Sequence, residues 1–104
     1  MKYKGEEYKR NNDGESPLLL ATRQSNLMIV ELLLTAGAET DNADIHGVMP
    51  LHVAAGNGDF FVGKDLLAAG ADIGKNIEGQ TPLILAAQNS RNDFTALLIE
   101  AGET

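Results

Sequence analysis

A nine-residue phrase occurs three times in this chain of 104 residues and constrains its fold more than any other feature. The three copies read GESPLLLAT, GVMPLHVAA and GQTPLILAA. Pro50 follows Pro17 by 33 positions, and Pro82 follows Pro50 by 32. A glycine follows each proline by 20 positions, so the one-residue difference lies between the units. A fixed spacing inside units and a variable spacing between them is typical of a supersecondary repeat.

Each unit predicts two helices separated by a polar break. Proline suits a first helical turn because its missing N–H would have no partner there, and Ser16 and Thr81 precede it as candidate N-caps. The first helices are therefore predicted at 17–24, 50–57 and 82–89. The second helix of the first unit, LMIVELLLTAG, carries a wide apolar stripe and ends at a glycine. One helix pair cannot bury both of its faces, so the units must stack.

These units resemble the ankyrin repeat, which has about 33 residues, a turn followed by two antiparallel helices, and a G-x-T-P-L-H-x-A-A phrase. The matching stretches are ESPLLLAT and VELLLTAGAE in the first unit, GVMPLHVAAGNG and LLAAGAD in the second, and GQTPLILAAQN and LLIEAG in the third. The resemblance implies an all-α repeat solenoid of stacked helix-turn-helix repeats joined by β-hairpin-like turns.

The same register predicts how the chain is divided. Residues 1–12 are charged and contain no apolar helix pair, so we expect an N-terminal lead-in there. Residues 13–104 are predicted to be one domain, with repeats at about 13–45, 46–77 and 78–104.

Composition restricts the classes of partner and compartment. A net charge of −7 disfavours binding to phosphate backbones, so no nucleic-acid partner is expected. The chain has no cysteine, no apolar run long enough to span a membrane, and no apolar segment of a secretory signal near its start. We therefore expect a soluble protein, cytoplasmic by default, with no membrane partner, and leave its compartment open.

Three residues of the second unit depart from the ankyrin pattern. Met49 replaces the capping threonine, which forfeits an N-cap of about 1 kcal/mol. Gly63 falls inside the second helix at a cost of about 1 kcal/mol. Asp65 falls on the apolar stripe and must turn outward or find a donor. We expect this helix to be the weakest element of the fold.

His52 is the side chain most suggestive of catalysis. In ankyrin repeats the histidine of this phrase makes structural hydrogen bonds, and catalysis would also need a pocket that joins it to an acid and a nucleophile. His46 and His52 make no recognised pair of metal ligands. We therefore predict no enzyme, no cofactor and no metal site.

The resemblance implies a non-enzymatic module for protein–protein interaction, with contacts at the turn tips and the exposed side of the first helices. The acidic balance favours a partner protein of basic character, whose identity the sequence leaves open. Ile45 and Ile77 can either contact that partner or pack between adjacent turns. The chain is expected to be a monomer or part of a longer array. The predicted contact residues are Glu15, Arg23, Ile45, His46, Val48, Asn57, Ile77, Glu78, Gln80, Gln88 and Asn89.

The alternative function is a structural spacer, or a fragment of a longer ankyrin array, with no partner of its own. Exposed apolar surface at Leu18, Leu20 or Leu97 would support that interpretation. An engineered or truncated scaffold is a further alternative, although irregular positions such as Gly63 and Asp65 argue against a consensus design.

Overall fold

Three antiparallel helix pairs make up the described part of the chain. The structure, a computed structural model, describes residues 10–74, 76 and 78–102. Those residues contain no β-strand, so the chain is an all-α repeat solenoid, as the sequence predicts. The helices are α1 (Pro17–Arg23), α2 (Leu27–Thr35), α3 (Pro50–Asn57), α4 (Phe60–Ala68), α5 (Pro82–Gln88) and α6 (Asn92–Glu100).

The helices form two rows. The first helices of the repeats, α1, α3 and α5, pack side by side in an inner row, and α2, α4 and α6 pack in an outer row. Each inner helix also packs on the outer helix of its own repeat. The core between the rows contains many small side chains, including Ala54, Ala55 and Ala86, together with Leu18 and Leu51. Small residues in the inner row let neighbouring helices approach closely.

The first helices of the first and third repeats begin with the predicted side-chain caps, and that of the second repeat begins without one. Ser16 Oγ accepts a hydrogen bond from the Leu19 N–H at 3.2 Å, and Thr81 Oγ1 accepts one from Ile84 at 3.1 Å. Met49 provides no such cap. Its own N–H is instead bonded to His52 Nδ1 at 3.0 Å.

Two of the three predicted first helices end one residue later than the helices in the structure. The second agrees with α3, whereas the first and third were predicted one residue too long. Gln24 and Asn89 are the C-cap residues of α1 and α5 and lie just outside the helices.

Gly63 has a packing role that its helix propensity does not reveal. A Cβ at this position would lie 2.4 Å from Cε2 of Phe94 and 3.4 Å from Cδ2 of Leu97, both on α6. Phe94 is fully buried, so its ring occupies the volume that a side chain on α4 would need. Glycine at this position therefore leaves room for the Phe94 ring in the contact between α4 and α6.

Asp65 is half-buried, so it does not turn fully outward as expected. Its Oδ2 atom is buried and has no hydrogen-bond partner among the described residues. The Glu31 carboxyl of α2 lies beside it, and hydrogen bonding to Asp65, desolvation and repulsion between the two carboxyls raise the pKa of Glu31. The contact between the first and second repeats therefore holds a pair of neighbouring carboxyl groups.

We predict that Gly63→Ala destabilises the chain by roughly 1–3 kcal/mol, because the added methyl group forces the Phe94 ring out of its site. Propensity alone would give the opposite sign, a gain of about 1 kcal/mol. Urea unfolding followed by circular dichroism measures the difference.

The matched control for this prediction is Gly56→Ala in α3. A Cβ there meets only Asn89 Nδ2, at an ordinary 3.6 Å, so this variant should be as stable as the wild type or more stable. Equal stability of Gly63→Ala and the wild type would show that the ring does not require the glycine.

Candidate functional site

The turns that precede the inner helices share one hydrogen-bond pattern. In each turn the Oδ1 atom of an Asn or Asp accepts from the backbone N–H groups two and four residues further on. Asn11 does so at 3.0 and 2.9 Å, Asp44 at 2.8 and 3.0 Å, and Asn76 at 2.9 and 3.0 Å. Such bonds hold the turn backbone in one conformation without using a tip side chain.

A glycine and a cross-turn backbone bond complete each turn. Gly47 has φ of 76°, in the left-handed region where glycine is favoured, and the Asp44 N–H donates to the Val48 carbonyl at 3.0 Å. The same bond links Asn76 to Gln80 at 2.8 Å. These are the β-hairpin-like turns that the sequence predicts.

The Asn or Asp side chain that accepts the turn hydrogen bonds was not predicted from the sequence, although its spacing to the turn glycine is regular. Asn11, Asp44 and Asn76 each stand three positions before the turn glycine. Asn11 was assigned to the lead-in, yet it bonds to the first turn, and Arg10 donates to the Ala43 carbonyl at 2.6 Å. The domain boundary at residue 12 stays a prediction.

The predicted tip residues divide into exposed and half-buried positions. Ile45, His46 and Glu78 are exposed, whereas Val48 and Gln80 are half-buried beneath them. Ile77 lies outside the described residues.

Ile45 packs against the neighbouring turn, one of its two predicted roles, and is nevertheless exposed. Its side chain is 62% exposed, while its Cγ2 lies only 3.1 Å from where a Cβ on Gly14 would stand. The Ile45 N–H also donates to the Asp13 carbonyl at 3.2 Å. One side of Ile45 therefore rests on the neighbouring turn, and the other side faces outward.

Arg23 joins the first two turns. From the end of α1 its guanidinium pairs with Glu15 and, at 2.9 Å, with Asp44 Oδ2. Burial alone would raise the pKa of Asp44, but the N–H groups of Val48 and His46 and the charge of Arg23 outweigh it and lower that pKa. Arg23 is thus held in an ion-pair network, and two of the predicted contact residues, Glu15 and Arg23, meet each other.

The remaining predicted residues lie at the ends of α3 and α5. Asn57, Gln88 and Asn89 are all exposed. Asn89 Nδ2 donates to the Gly56 carbonyl at 3.2 Å, which ties the third repeat to the second. These positions continue the exposed surface of the inner row away from the turn tips.

His52 is buried and uses both ring nitrogens. Nδ1 accepts from the Met49 N–H, and Nε2 lies 2.9 Å from the Gly74 carbonyl, to which it donates in the neutral form. Burial lowers the pKa of His52, against the opposing effects of the Gly74 and Gln80 backbone groups and of nearby Asp72 and Asp44. The ring connects α3 to the loop that leads into the third repeat.

The described ranges contain neither a candidate metal cluster nor a membrane-spanning helix. No group of three or more His, Asp or Glu side chains there is arranged to hold a metal ion. None of the helices in that part of the chain is long and apolar enough to cross a membrane.

A family model that describes ankyrin repeats in three copies matches residues 2–76 and 39–104. The chain belongs to the ankyrin-repeat family. The repeated turn, inner helix and outer helix described above are thus three ankyrin repeats.

Curated relatives share this ankyrin region and are much longer. The chain is 39% identical to the B-cell lymphoma 3 protein homolog of Mus musculus over 70% of its length, and 34% identical to Inversin of Gallus gallus over 88%. It is 36% identical to an intracellular phospholipase A2 of Caenorhabditis elegans over 91%. The matched regions span 16%, 8% and 10% of those three proteins.

We predict that Asp44→Ala destabilises the ankyrin domain by about 2 kcal/mol, because two turn N–H groups lose their acceptor. Asp44→Asn should cost less than about 1 kcal/mol, since it keeps that acceptor and loses only the charge that faces Arg23. Urea unfolding of both variants measures the two costs. Equal losses would assign the stabilisation to the ion pair.

We predict that the ankyrin domain loses stability as the pH falls below 6.5, the ordinary pKa of histidine. Because the folded-state pKa of His52 is lowered, the unfolded chain binds the proton more tightly, and protonated Nδ1 cannot accept from Met49. Unfolding free energies measured between pH 7.5 and 5.5, a range of about one unit on either side of that pKa, test the direction.

The other histidine provides the control for this pH dependence. His46→Gln changes an exposed tip residue and should keep the wild-type slope, whereas His52→Leu, which copies Leu19 of the first repeat, should flatten it. A wild-type slope that persists in His52→Leu would contradict the assignment.

Proposed function

We propose that this chain binds a partner protein through its turn tips and the adjacent exposed ends of the inner helices, and that it catalyses no reaction. Ankyrin repeats generally mediate protein–protein interaction. The finer assignment, to this surface and to these residues, is our inference.

One observation carries the proposal: the same hydrogen bonds hold all three turns, while the side chains at their tips differ. The positions before the turn glycines are Asp13, His46 and Glu78, and all three are exposed. A backbone fixed by Asn11, Asp44 and Asn76 loses little conformational entropy on binding. Constant geometry with variable exposed chemistry suits recognition of a partner surface.

The chemistry of this surface indicates the class of partner. Asp13 and Glu78 place negative charge at the first and third tips, and Ile45 places an exposed apolar side chain at the second. The net charge of −7 adds long-range attraction for a basic protein, which acts mainly on the association rate. The proposed partner is therefore a protein surface that combines basic residues with an apolar patch able to receive Ile45.

A non-enzymatic role is supported by the hydrogen bonds of His52. Both ring nitrogens of His52 are engaged with backbone groups, so the ring has no nitrogen available for a substrate. The relative whose name denotes a phospholipase matches this chain over only 10% of its own length. Its activity therefore gives no reason to assign catalysis to these repeats.

The spacer alternative relied on exposed apolar surface at three leucines. Leu18 is fully buried, and Leu20 and Leu97 are half-buried. These positions therefore give the spacer interpretation no support.

The experiment compares three baits in affinity capture followed by mass spectrometry, with each captured candidate then purified and titrated by calorimetry. The baits are the wild-type chain, Ile45→Asp combined with Glu78→Lys, and the control Phe61→Asp. Phe61 lies on α4 in the outer row and is 66% exposed, which matches the exposure of Ile45. We expect a purified partner to lose at least about tenfold in affinity for the tip variant only.

The same titration at two salt concentrations tests the proposed charge of the partner. Weaker binding at higher salt is expected for a basic protein, and the change should appear mainly in the association rate. A partner that binds the tip variant as tightly as the wild type would remove the turn tips from the interface.

A further inference from the structure

Two neighbouring outer helices each expose one large apolar side chain at the same helix position. Met28 of α2 and Phe61 of α4 are equivalent residues of the first and second repeats, and they are 71% and 66% exposed. Because α2 and α4 pack side by side, equivalent positions on them are neighbours. We call Met28 and Phe61 the outer patch.

The exposure of the outer patch does not depend on the ends of the helix stack. The helix α4 packs against α2 on one side and against α6 on the other, and Phe61 is still exposed. Asp93, the equivalent residue of α6, is exposed as well. A neighbouring repeat therefore does not cover this position, and only a molecule that approaches the outer row can do so.

The ring of Phe61 is already held in one orientation. It lies at right angles to the half-buried Phe60 ring, with 5.5 Å between the two centroids. Lys64 Nζ in turn lies 5.9 Å from the Phe60 centroid. Edge-to-face and cation–π contacts favour this arrangement, so the Phe61 side chain loses little conformational entropy when it is covered.

Opposite charges stand one helical turn beyond the two apolar side chains. Glu31 follows Met28 by three positions in α2, and it is exposed. Lys64 follows Phe61 by three positions in α4, and it is exposed too. Residues three apart share a helix face, so each charge lies on the same side of its helix as the apolar residue before it.

A groove of about 510 Å³ between α2 and α4 opens beside Glu31. Asp65 also lines it, and its buried Oδ2 atom has no hydrogen-bond partner among the described residues. Two neighbouring carboxyl groups and an acceptor without a donor favour a positively charged side chain at this place.

We propose that two copies of this chain pair through the outer patch, about a two-fold axis that runs parallel to α2 and α4 and lies between them. Such an axis places Met28 of each copy against Phe61 of the other copy. It also places Lys64 of each copy over Glu31 of the other, at the opening of the groove.

Charge complementarity favours a second copy over another occupant. One symmetry operation matches the apolar positions and both charged positions at once. A basic peptide would pair with Glu31 but would repel Lys64, and an acidic peptide would do the reverse. The contact uses no turn-tip residue, so it is compatible with a partner bound at the turns.

The geometry also determines the form of the assembly. The same surface is used on both copies, so the contact is isologous and closes at two chains. It involves two helices of each copy, which is a small interface, and a net charge of −7 on each copy opposes the approach. We therefore expect a weak, reversible dimer at high protein concentration and no larger species.

Sedimentation velocity over a concentration series, at low and high salt, tests the proposal on the full chain. Phe61→Asp should weaken association by roughly tenfold or more, because the contact would bury its carboxylate. Circular dichroism checks that each variant is folded. A Phe61→Asp chain that associates like the wild type would overturn the proposal, as would a wild-type chain that stays monomeric at every concentration and salt level.

Two control variants place the same charge on other exposed apolar side chains. Ile45→Asp lies at a turn tip and Ile99→Asp at the end of the stack, and these side chains are 62% and 56% exposed. Both variants should associate like the wild type. Loss of association in Ile45→Asp would move the contact to the turn tips, and loss in Ile99→Asp would move it to the end of the stack; either result contradicts the proposal.

Charge reversal tests the two-fold arrangement itself. Glu31→Lys places lysines opposite each other at both charged contacts, and Lys64→Glu places glutamates there, so each variant alone should associate roughly tenfold more weakly. An equimolar mixture should recover wild-type association, since one variant then faces the other with opposite charges at both contacts. Both variants remain acidic overall, so general attraction cannot produce this recovery.

Two further results would rule out the arrangement. A mixture that associates no better than the separate variants would show that Glu31 and Lys64 do not face each other. A purified partner that binds Phe61→Asp more weakly than a monomeric wild-type chain would assign the outer patch to that protein instead of a second copy. Neither result bears on the turn tips, which the Ile45→Asp, Glu78→Lys variant tests separately.

Discussion

The burial of one repeat's apolar face against the next is the interaction on which this molecule depends. A single helix pair cannot bury all of its apolar side chains, and stacking on the next repeat removes more of them from water. Gly63 and Phe94 show how specific that contact is, because the ring fills the space where a side chain would stand. The fit explains why a residue unfavourable within a helix occupies the middle of α4.

The candidate binding surface follows from the same stacking. Packing of the inner helices places the three turns side by side, and the Asn and Asp side chains of the turns hold each one in the same shape. The first two turns are also joined directly, through Arg23 to Asp44 and through the Ile45 N–H to the Asp13 carbonyl. The three turns therefore share one backbone shape, and the side chains that differ between their tips are the ones that we propose for recognition.

Residues whose role depends on local spacing were predictable, and residues whose role depends on a neighbour were not. The proline, its N-cap and the closing glycine act within one repeat, so the first helices could be derived from their positions, and the family resemblance implied the turn type. Asn11 and Asn76 also act locally and were missed only because their spacing to the glycine was overlooked. The role of Gly63, the position of Asp65 beside Glu31 and the two-sided environment of Ile45 each involve a residue of another repeat.

The sequence by itself determined that this chain is built from three ankyrin repeats, because each repeat encodes its own helices and turn in register. It also determined that the chain is acidic overall, with a net charge of −7. Only the tertiary structure decided that His52 is enclosed between Met49 and Gly74, that Leu18 is buried, and that Ile29, Leu32 and Ile84 are exposed. The physical reason is that burial in a repeat protein is set by the neighbouring repeat, so equivalent residues share a helix position but differ in what covers them.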